Sequence, residues 1–210
     1  HIGELTIADD DVAPTLSISD VVTANEAAVV NSATVTLSAA SEKTVSVNFA
    51  TSDGTATANN DYISASGTLE FAPGVITQTI PVTMVQDSLD EINETITVTL
   101  SGESNATVAD ATGIITITDD DGTPTLSISP LTTAETGTLS ATVSLSGASS
   151  EDVTVNYATS NGTANAGNDY TSTTGTLTIA AGDTSGTIDI SILADSVSEE
   201  DETFNVTLTS

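Results

Sequence analysis

The acidic side chains of this chain are grouped in a way that suits the binding of a hard cation. Residues 12–121 include these acidic positions: Glu26, Asp61, Asp87, Glu91, Glu94 and the triplet Asp119, Asp120 and Asp121. Residues 122–210 repeat most of the set as Glu135, Asp169, Asp195, Glu199 and Glu202. Carboxylate oxygens are the ligands that calcium and magnesium prefer, so cation binding is the chemistry that these residues offer.

If these carboxylates converge, their mutual repulsion needs a counter-charge. Two unit charges 4 Å apart repel by about 1 kcal/mol in water and by about 4 kcal/mol at an effective dielectric constant of 20. The sequence contains no Arg, and its single Lys, Lys43, lies in the turn before Val45. A bound cation would supply the missing charge, and a solvated acidic rim is the alternative. The repetition of the separate acids in both halves favours the cation.

The identity of the cation follows from which ligands are present and which are missing. The chain has no Cys and one His, so thiolate and multi-histidine sites for zinc or copper are not available. Calcium is favoured over magnesium because it accepts six to eight oxygen ligands in a flexible geometry. We therefore predict Ca²⁺, and the eight carboxylates of the first set could serve more than one ion.

The overall charge excludes several partners. Thirty acidic residues and one basic residue give a formal net charge of −29, which repels nucleic-acid phosphates and anionic lipids. No apolar run approaches the roughly 18 residues that a membrane span needs, so direct membrane insertion is not expected. Adaptation to high salt is an alternative explanation of the acidity. There is no Ser/His/Asp set and no aromatic platform beside the paired carboxylates, so we do not expect an enzyme.

Two copies of one unit make up most of the chain. The Asp61-Tyr62 pair returns as Asp169-Tyr170, an offset of 108 residues (169 − 61). The segment that begins at Pro14 returns from Pro124, an offset of 110 residues (124 − 14). We therefore predict one domain at residues 12–121 and a second at 122–210. Residues 1–11 match residues 111–121, so we interpret them as the last strand and Asp triplet of a preceding repeat, or as a donor strand.

Apolar residues alternate with Thr and Ser along each copy, which is the pattern of β-strands with one solvated face. In the first copy the alternation predicts seven strands, around these pairs and triplets: Leu16/Ile18, Ala33/Val35/Leu37, Val45/Val47/Phe49, Leu69/Phe71, Ile80/Val82/Met84, Ile96/Val98/Leu100 and Ile115/Ile117. The predicted fold class is all-β, with tandem immunoglobulin-like antiparallel β-sandwiches of about seven strands each. The second copy stops at the equivalent of the sixth strand and is predicted to lack its final one. Because turns after alternate strands lie at the same end of a sandwich, the acidic groups can converge at one pole.

The joint motif resembles the Calx-beta domain. It comprises Leu-Ser-Ile, an early Glu, Asp/Asn-Gly-Thr-Ala, Asp-Tyr, Gly-Thr-Leu, an Asp followed by Glu at the fourth and seventh positions after it, and a closing Asp triplet. This resemblance covers almost the whole chain and implies a sandwich that binds calcium in loops at one pole. The implied ligands are the acidic residues named above. Gln86 and Ala194 stand where the family often has a second Asp, which lowers the expected number of ions.

The leading functional expectation is a structural repeat of an extracellular surface protein or filament, in which calcium stiffens the array. Neighbouring repeats of the same protein, or identical chains joined head to tail, are the expected partners. In the head-to-tail case residues 2–8 of one chain complete the second repeat of another, and Asp9, Asp10 and Asp11 complete its calcium site. The alternatives are a calcium-sensing regulatory domain of a membrane transporter and a carbohydrate-binding adhesin module with rows of Thr. A surface or glycan ligand is compatible with the last of these.

Overall fold

The computed structural model describes residues 3, 5, 8, 10–22, 26–27, 30–196 and 198–209, and throughout this part of the chain it is all-β. The predicted fold class is thereby confirmed. The chain divides into two compact units, one of residues 1–87 with 93–120 and the other of residues 88–92 with 121–210. The described residues contain no helix long and apolar enough to cross a membrane.

The first unit contains ten strands in two five-stranded sheets. The strands are β1 (Thr15–Ile18), β2 (Val21–Val22), β3 (Val30–Leu37), β4 (Val45–Asp53), β5 (Tyr62–Ile63), β6 (Ser66–Phe71), β7 (Thr77–Met84), β8 (Glu94–Ser104), β9 (Thr107–Asp110) and β10 (Thr112–Ile117). One sheet has the order β5-β7-β3-β1-β9 and the other has the order β2-β10-β8-β4-β6. The two sheets enclose a core of Val, Ile and Leu side chains with few rings.

All seven strands that the alternation predicts are present in the first unit. Their inward residues are buried, as Val35, Val47 and Ile96 illustrate with 0% exposure each, while Phe49 and Leu69 are only partly buried. The structure adds three short strands, β2, β5 and β9, of two to four residues each. Two pairings, β1 with β9 and β10 with β2, are parallel, so the sandwich is not purely antiparallel.

The chain changes sheets between β1 and β2. At this crossing the carboxylate of Asp20 accepts a hydrogen bond from the backbone N–H of Ile114, at 2.8 Å, which attaches the crossing to β10. A Cβ atom at Gly113 would lie 2.9 Å from Cγ1 of Ile18, so only glycine allows β10 to approach β1 this closely. The final strand of the sandwich therefore closes the core of the first unit.

The second unit contains six strands in two three-stranded sheets. The strands are β11 (Leu126–Ile128), β12 (Gly137–Leu145), β13 (Val153–Asn161), β14 (Thr174–Ile179), β15 (Ser185–Ile192) and β16 (Phe204–Thr209). The sheet orders are β11-β12-β15 and β14-β13-β16. Among the described residues of this unit no strand pairs with the outer edge of β16, which is the position that β10 takes beside β8 in the first unit.

A buried tyrosine stands at the same corner of each unit. The hydroxyl of Tyr62 donates a hydrogen bond to Oδ1 of Asp53, at 2.7 Å, and the hydroxyl of Tyr170 donates to Oδ1 of Asn161, also at 2.7 Å. Both rings are 1% exposed. Burial, together with the hydrogen bond to Asp53 and its negative charge, raises the pKa of Tyr62 to about 12. The hydrogen-bond acceptor is thus charged at the first corner and neutral at the second, and in the described part of the chain only Tyr170 also stacks on a neighbouring ring, that of Phe204.

We expect Tyr62→Phe to destabilise its unit more than Tyr170→Phe destabilises the other. A hydrogen bond to a charged acceptor contributes about 1.5–3 kcal/mol, compared with about 0.5–1.5 kcal/mol for a neutral pair. Amide hydrogen exchange measures the loss of protection in each unit separately. The Tyr62 contribution should persist below pH 10 and disappear as the pH rises toward about 12, since its folded pKa is the higher one. Equal losses in the two variants would contradict the assignment.

Candidate metal centres

A short loop before each buried tyrosine fixes the first candidate ligand. In the first unit, Oδ1 of Asp53 accepts the backbone N–H of Ala58 at 3.0 Å, which folds the loop back on the end of β4. Oδ2 of Asp61 accepts the backbone N–H of Thr57 at 2.6 Å and the Thr57 hydroxyl at 3.1 Å. The Asp61 carboxylate is therefore oriented by its own loop before any cation is bound.

The second unit builds the same loop with one change of residue. Oδ1 of Asn161 accepts the backbone N–H of Ala166 at 3.0 Å, in the role that Asp53 has in the first unit. Oδ2 of Asp169 accepts the backbone N–H of Asn165 at 2.6 Å. The orientation of Asp169 thus depends on backbone donors in the way that the orientation of Asp61 does.

A Gly-Thr pair ties this loop to the strand that follows the acidic segment. In the first unit the backbone N–H of Thr95 donates to Oγ1 of Thr55 at 2.8 Å, and the N–H of Ala56 donates to the carbonyl of Thr95 at 3.1 Å. A Cβ atom at Gly54 would collide with that same carbonyl, so glycine is required for the close approach. The contact holds Glu94, the residue before Thr95, next to the loop of Asp61.

The corresponding contacts hold Glu202 beside the loop of Asp169. The backbone N–H of Thr203 donates to Oγ1 of Thr163 at 2.8 Å, and the N–H of Ala164 donates to the carbonyl of Thr203 at 2.9 Å. The repeated Gly-Thr-Ala motif was visible in the sequence, but its role in joining two acidic segments was not predicted. Asp53, Asn161, Thr55 and Thr163 are thus positioning residues that sequence reasoning missed.

The second unit brings five predicted ligands into two overlapping clusters. Glu135, Asp195 and Glu199 place one carboxylate oxygen each within 4.8 Å of the others. Asp169, Glu199 and Glu202 do the same. Asp169 is half-buried and the other four side chains are exposed. Glu199 belongs to both clusters, so it is the carboxylate that could bridge two ions or complete the shell of one.

In the first unit the predicted ligands lie close together in pairs. Glu26 and Asp87 have carboxylate oxygens within 4.8 Å of each other, as do Asp61 and Glu94. Glu26 is 5% exposed, which makes it one of the few buried polar side chains of the described chain. Burial of a carboxylate costs free energy unless it is paired or binds a metal.

The remaining predicted ligands lie as follows. Asp119 is half-buried, and its backbone N–H donates to the side-chain oxygen of Asn93 at 3.4 Å, whereas Asp120 is exposed. Glu91 and Asp121 are half-buried and are grouped with the second unit. Asp10 and Asp11 are exposed, and Asp9 lies outside the described residues. The described residues contain no cluster of three carboxylates that includes Asp119, Asp120, Asp10 or Asp11, and their ligand roles stay predictions.

The clustered carboxylates of the second unit hold protons more tightly than ordinary glutamates. Partial desolvation, followed by the negative charges of Asp195, Asp169 and Glu135, raises the pKa of Glu199 above its usual value of 4.5. Desolvation, a hydrogen bond to Asp169 and the charges of Asp169, Glu199 and Glu135 raise the pKa of Glu202 in the same direction. The negative charges that contribute to these raised pKa values repel one another, and a bound cation would relieve the repulsion.

The donor set fits calcium. All the clustered ligand atoms are carboxylate oxygens, and two oxygens that bind one Ca²⁺ at its usual distances lie no more than about 5 Å apart, the separation found in the clusters. The exposed positions leave room for water ligands, which calcium accepts readily. Neither Cys nor a second His is present in the chain to favour a softer metal.

The fold and the carboxylate clusters together define a class of cation-binding β-sandwich domains that occur in tandem. A family model for the Calx-beta domain matches residues 9–121 and again residues 119–210. The chain therefore belongs to the Calx-beta domain family, which confirms the resemblance and supports Ca²⁺ as the bound ion.

Among curated proteins the chain is similar to sodium/calcium exchangers. It is 30% identical to the sodium/calcium exchanger Calx of Drosophila melanogaster over 166 residues, which is 77% of this chain and 18% of the exchanger. It is 30% identical to sodium/calcium exchanger 1 of Canis lupus familiaris over 184 residues, which is 77% of this chain and 19% of the exchanger. The chain thus spans less than a fifth of the length of these relatives.

Among solved structures the chain is similar to two Calx structures. The crystal structure of CBD12 from CALX1.2 is 25% identical with a TM-score of 0.49, and the match covers 93% of this chain and 79% of that one. The apo form of the Calx CBD1 domain is 24% identical with a TM-score of 0.49, and the match covers 52% of this chain and 100% of that domain.

Because Glu199 serves both clusters, we expect Glu199→Gln to weaken calcium binding to the second unit more than a change that affects one cluster. Loss of a shared charged ligand should raise the Kd about tenfold or more, which corresponds to at least about 1.4 kcal/mol. Glu135→Gln and Glu202→Gln are matched controls, since each removes one carboxylate from one cluster only. Isothermal titration calorimetry provides the measurement, and the same loss in all three variants would argue against a shared ligand.

Calcium binding to the second unit should release protons in mildly acidic solution. The raised pKa values of Glu199 and Glu202 keep part of each protonated at a pH above 4.5, and calcium binds the charged form. For the same reason the ion-free unit should lose stability as the pH rises through these raised pKa values, because its folded state binds more protons than its unfolded state. Titration at about pH 5 and about pH 7 in buffers of different ionisation enthalpy counts the protons. Equal release at both pH values would contradict the raised pKa values.

Proposed function

We propose that this chain is a tandem pair of calcium-binding, non-catalytic regulatory domains within a larger protein. The observation that carries the proposal is the arrangement of the second unit, where Glu199 belongs to two carboxylate clusters whose members come from separate loops. Membership of the Calx-beta domain family and the similarity to sodium/calcium exchangers also support the proposal.

The arrangement of the clusters supports a calcium response confined to the loops. Asp169 is held by its own loop, whereas Asp195, Glu199 and Glu202 lie in the segment between β15 and β16. Desolvation and then the repulsion among these carboxylates raise the pKa values of Glu199 and Glu202, and without a cation that repulsion works against closure of the segment. A bound Ca²⁺ reverses the sign of the interaction, so ion binding draws the segment toward the fixed loop and orders it.

A structural role in an extracellular array is the second candidate. It is favoured by the net charge of −29 and by the near-absence of basic residues, which suit a surface exposed to divalent cations. In that role calcium stiffens successive repeats, and the neighbouring repeats of the same protein are the partners. An extracellular location belongs to this candidate and not to the regulatory one.

The calcium affinity distinguishes the two candidates. Regulatory sites that respond inside cells bind calcium with a Kd of about 10⁻⁷–10⁻⁵ M, whereas extracellular modules bind with about 10⁻⁴–10⁻³ M. We expect this 210-residue chain to show at least one site in the tighter range, measured by calorimetry in the presence of about 1 mM Mg²⁺ as a competitor. Sites confined to the millimolar range would assign the chain to the structural role.

Calcium should also raise the thermal stability of the chain and protect the segment between β15 and β16 from hydrogen exchange. A ligand at one hundred times its Kd adds about 2.7 kcal/mol to the free energy of unfolding. Addition of a chelator should reverse both effects. The double variant Asp195→Asn with Glu199→Gln is the control, because it removes charge from both clusters and leaves the strands unchanged. If the chelator leaves melting and exchange unchanged in the parent chain, both candidate functions fail.

A further inference from the structure

Strand β14 forms an unprotected edge of the second unit. It is the outermost strand in the order β14-β13-β16, and no strand of the described residues pairs with its other side. The sequence from Tyr170 to Gly182, which contains the strand, carries no charged residue. An uncharged, extended edge of this kind presents backbone hydrogen-bonding groups that can pair with another strand.

The register with β13 shows which backbone groups of β14 point outward. The N–H of Thr159 donates to the carbonyl of Thr173 at 2.9 Å, which makes these two residues a hydrogen-bonded pair. Because such pairs alternate along an antiparallel ladder, the residues of β14 that bond to β13 are Gly175, Leu177 and Ile179. The N–H and C=O groups of the intervening residues therefore point away from β13. These exposed residues are Thr174, Thr176 and Thr178.

The equivalent edge of the first unit is protected in two ways. Its strand, β6, is likewise outermost, in the order β2-β10-β8-β4-β6. The side-chain amide of Gln78 donates to the backbone carbonyl of Glu70 at 2.8 Å, so one outward-pointing group of β6 is already bonded. The Glu70 carboxylate also places a negative charge on the edge. Covering an edge and charging it are both ways in which β-proteins discourage pairing with other chains.

The second unit has neither form of protection. Thr178 takes the place of Glu70, and Gly186 takes the place of Gln78, both at an offset of 108 residues (178 − 70 and 186 − 78). A glycine has no side chain with which to bond the carbonyl of Thr178. A Cβ atom at Gly186 would also lie 3.1 Å from Cδ1 of Leu177, so there is little room for a side chain at this position.

We propose that β14 pairs with β14 of a second copy of this chain. A row of outward N–H and C=O groups on one strand is complementary to the same row on an antiparallel copy, so one kind of edge supplies both sides of the contact. The symmetric register places Thr176 opposite Thr176 of the second copy, and Thr174 opposite Thr178. The pairing extends the sheet of the second unit across two molecules, and the two-fold relation closes the assembly at a dimer.

The charge of the chain favours this occupant. With a net charge of −29, two copies repel each other over most of their surface, and a contact costs least where carboxylates are absent. The uncharged segment from Tyr170 to Gly182 is such a place. A basic partner would instead be drawn to the acidic loops, because the backbone groups of an edge strand carry no net charge.

The association is expected to be weak. Backbone hydrogen bonds and cross-strand Thr pairs stabilise it, but an edge-to-edge contact buries less than the roughly 1,200 Å² of a standard interface. The carboxylates elsewhere on the two copies repel, and salt screens that repulsion, with a Debye length of about 8 Å at 0.15 M and about 3 Å at 1 M. The association should therefore become stronger as salt is added, whereas a contact made by ion pairs would become weaker.

The mass of the chain in solution tests the proposal directly. Sedimentation in a chelator, from about 10 µM to about 1 mM protein, makes the outcome independent of calcium binding and hence of the proposed function. We expect the mass to rise from 21.0 kDa toward twice that value, and to rise at lower protein concentration in about 0.5 M salt than in about 0.05 M salt. A chain that stays monomeric under all these conditions, or that associates less in high salt, overturns the proposal.

A proline variant tests the strand. Thr176→Pro removes an outward N–H and leaves the bonds to β13 in place, so it should weaken the association at least about tenfold. Thr68→Pro is the matched control, because Thr68 holds the same place on β6. Each of the two threonines donates a hydrogen bond at 2.7 Å to an asparagine of the next strand, Asn48 or Asn156, so the two variants lose the same contact. Equal weakening by both variants, or by neither, rules out β14 as the contact.

A charge exchange tests the two-fold register and does not depend on the folding of a proline variant. Thr176→Glu and Thr176→Lys each place two like charges opposite each other in the pair. Each variant alone should associate roughly twofold to fivefold more weakly than the corresponding variant of Thr68. An equimolar mixture of the two Thr176 variants pairs Glu with Lys and should recover the association of the parent chain. If the mixture associates no better than the separate variants, the symmetric pairing is wrong.

Discussion

Repulsion between carboxylates is the constraint around which this protein is organised. A folded chain normally keeps like charges apart or pairs them with Lys or Arg, but here thirty acidic residues accompany a single basic one. The second unit nevertheless holds five carboxylates in clusters with ligand atoms within 4.8 Å. The free energy needed to hold them there comes from the sandwich itself, through backbone hydrogen bonds that fix the acidic loops to buried strands. A protein built in this way is most stable when a cation is part of the structure.

In both units the apolar strands form the core and the loops between them hold the candidate ligands. The loop contacts of Thr55 and Thr163 connect that core to the acidic segments. The glycines before these threonines are required because the strand carbonyl lies where a Cβ atom would be. Through these contacts Glu94 and Glu202 each lie one residue before the threonine that is tied to the loop.

Sequence reasoning predicted the strands well because burial on one face leaves a period-two pattern that few other structures produce. It placed the inward residues of all seven strands of the first unit, including Leu16 at the start and Ile117 at the end, both of which are buried. It did not predict β2, β5 and β9, which are too short to carry a period. It also did not predict the parallel pairings, since register between distant segments leaves no local mark in the sequence.

The sequence predicted which residues form the candidate site, but it predicted only part of how they are arranged in space. The repeated spacing of Asp195, Glu199 and Glu202 pointed to a shared function, and these residues do lie together with Asp169 and Glu135. The sharing of Glu199 between two clusters could not be read from spacing, because it depends on how the segment after β15 folds. The supporting roles of Asp53 and Asn161 were also hidden, since a side chain that binds only its own loop resembles any other turn residue.

The shared glutamate has a consequence for how the protein would respond to rising calcium. When one ligand serves two ions, the first ion fixes the position of the carboxylate and its loop. The second ion then binds a site that is already ordered, so its binding loses less conformational entropy. The two binding free energies are then coupled, and the coupling acts equally in both directions. Positive coupling of this kind makes occupancy rise more steeply with concentration than independent sites allow. A narrow range of calcium concentration would then separate a loose unit from an ordered one.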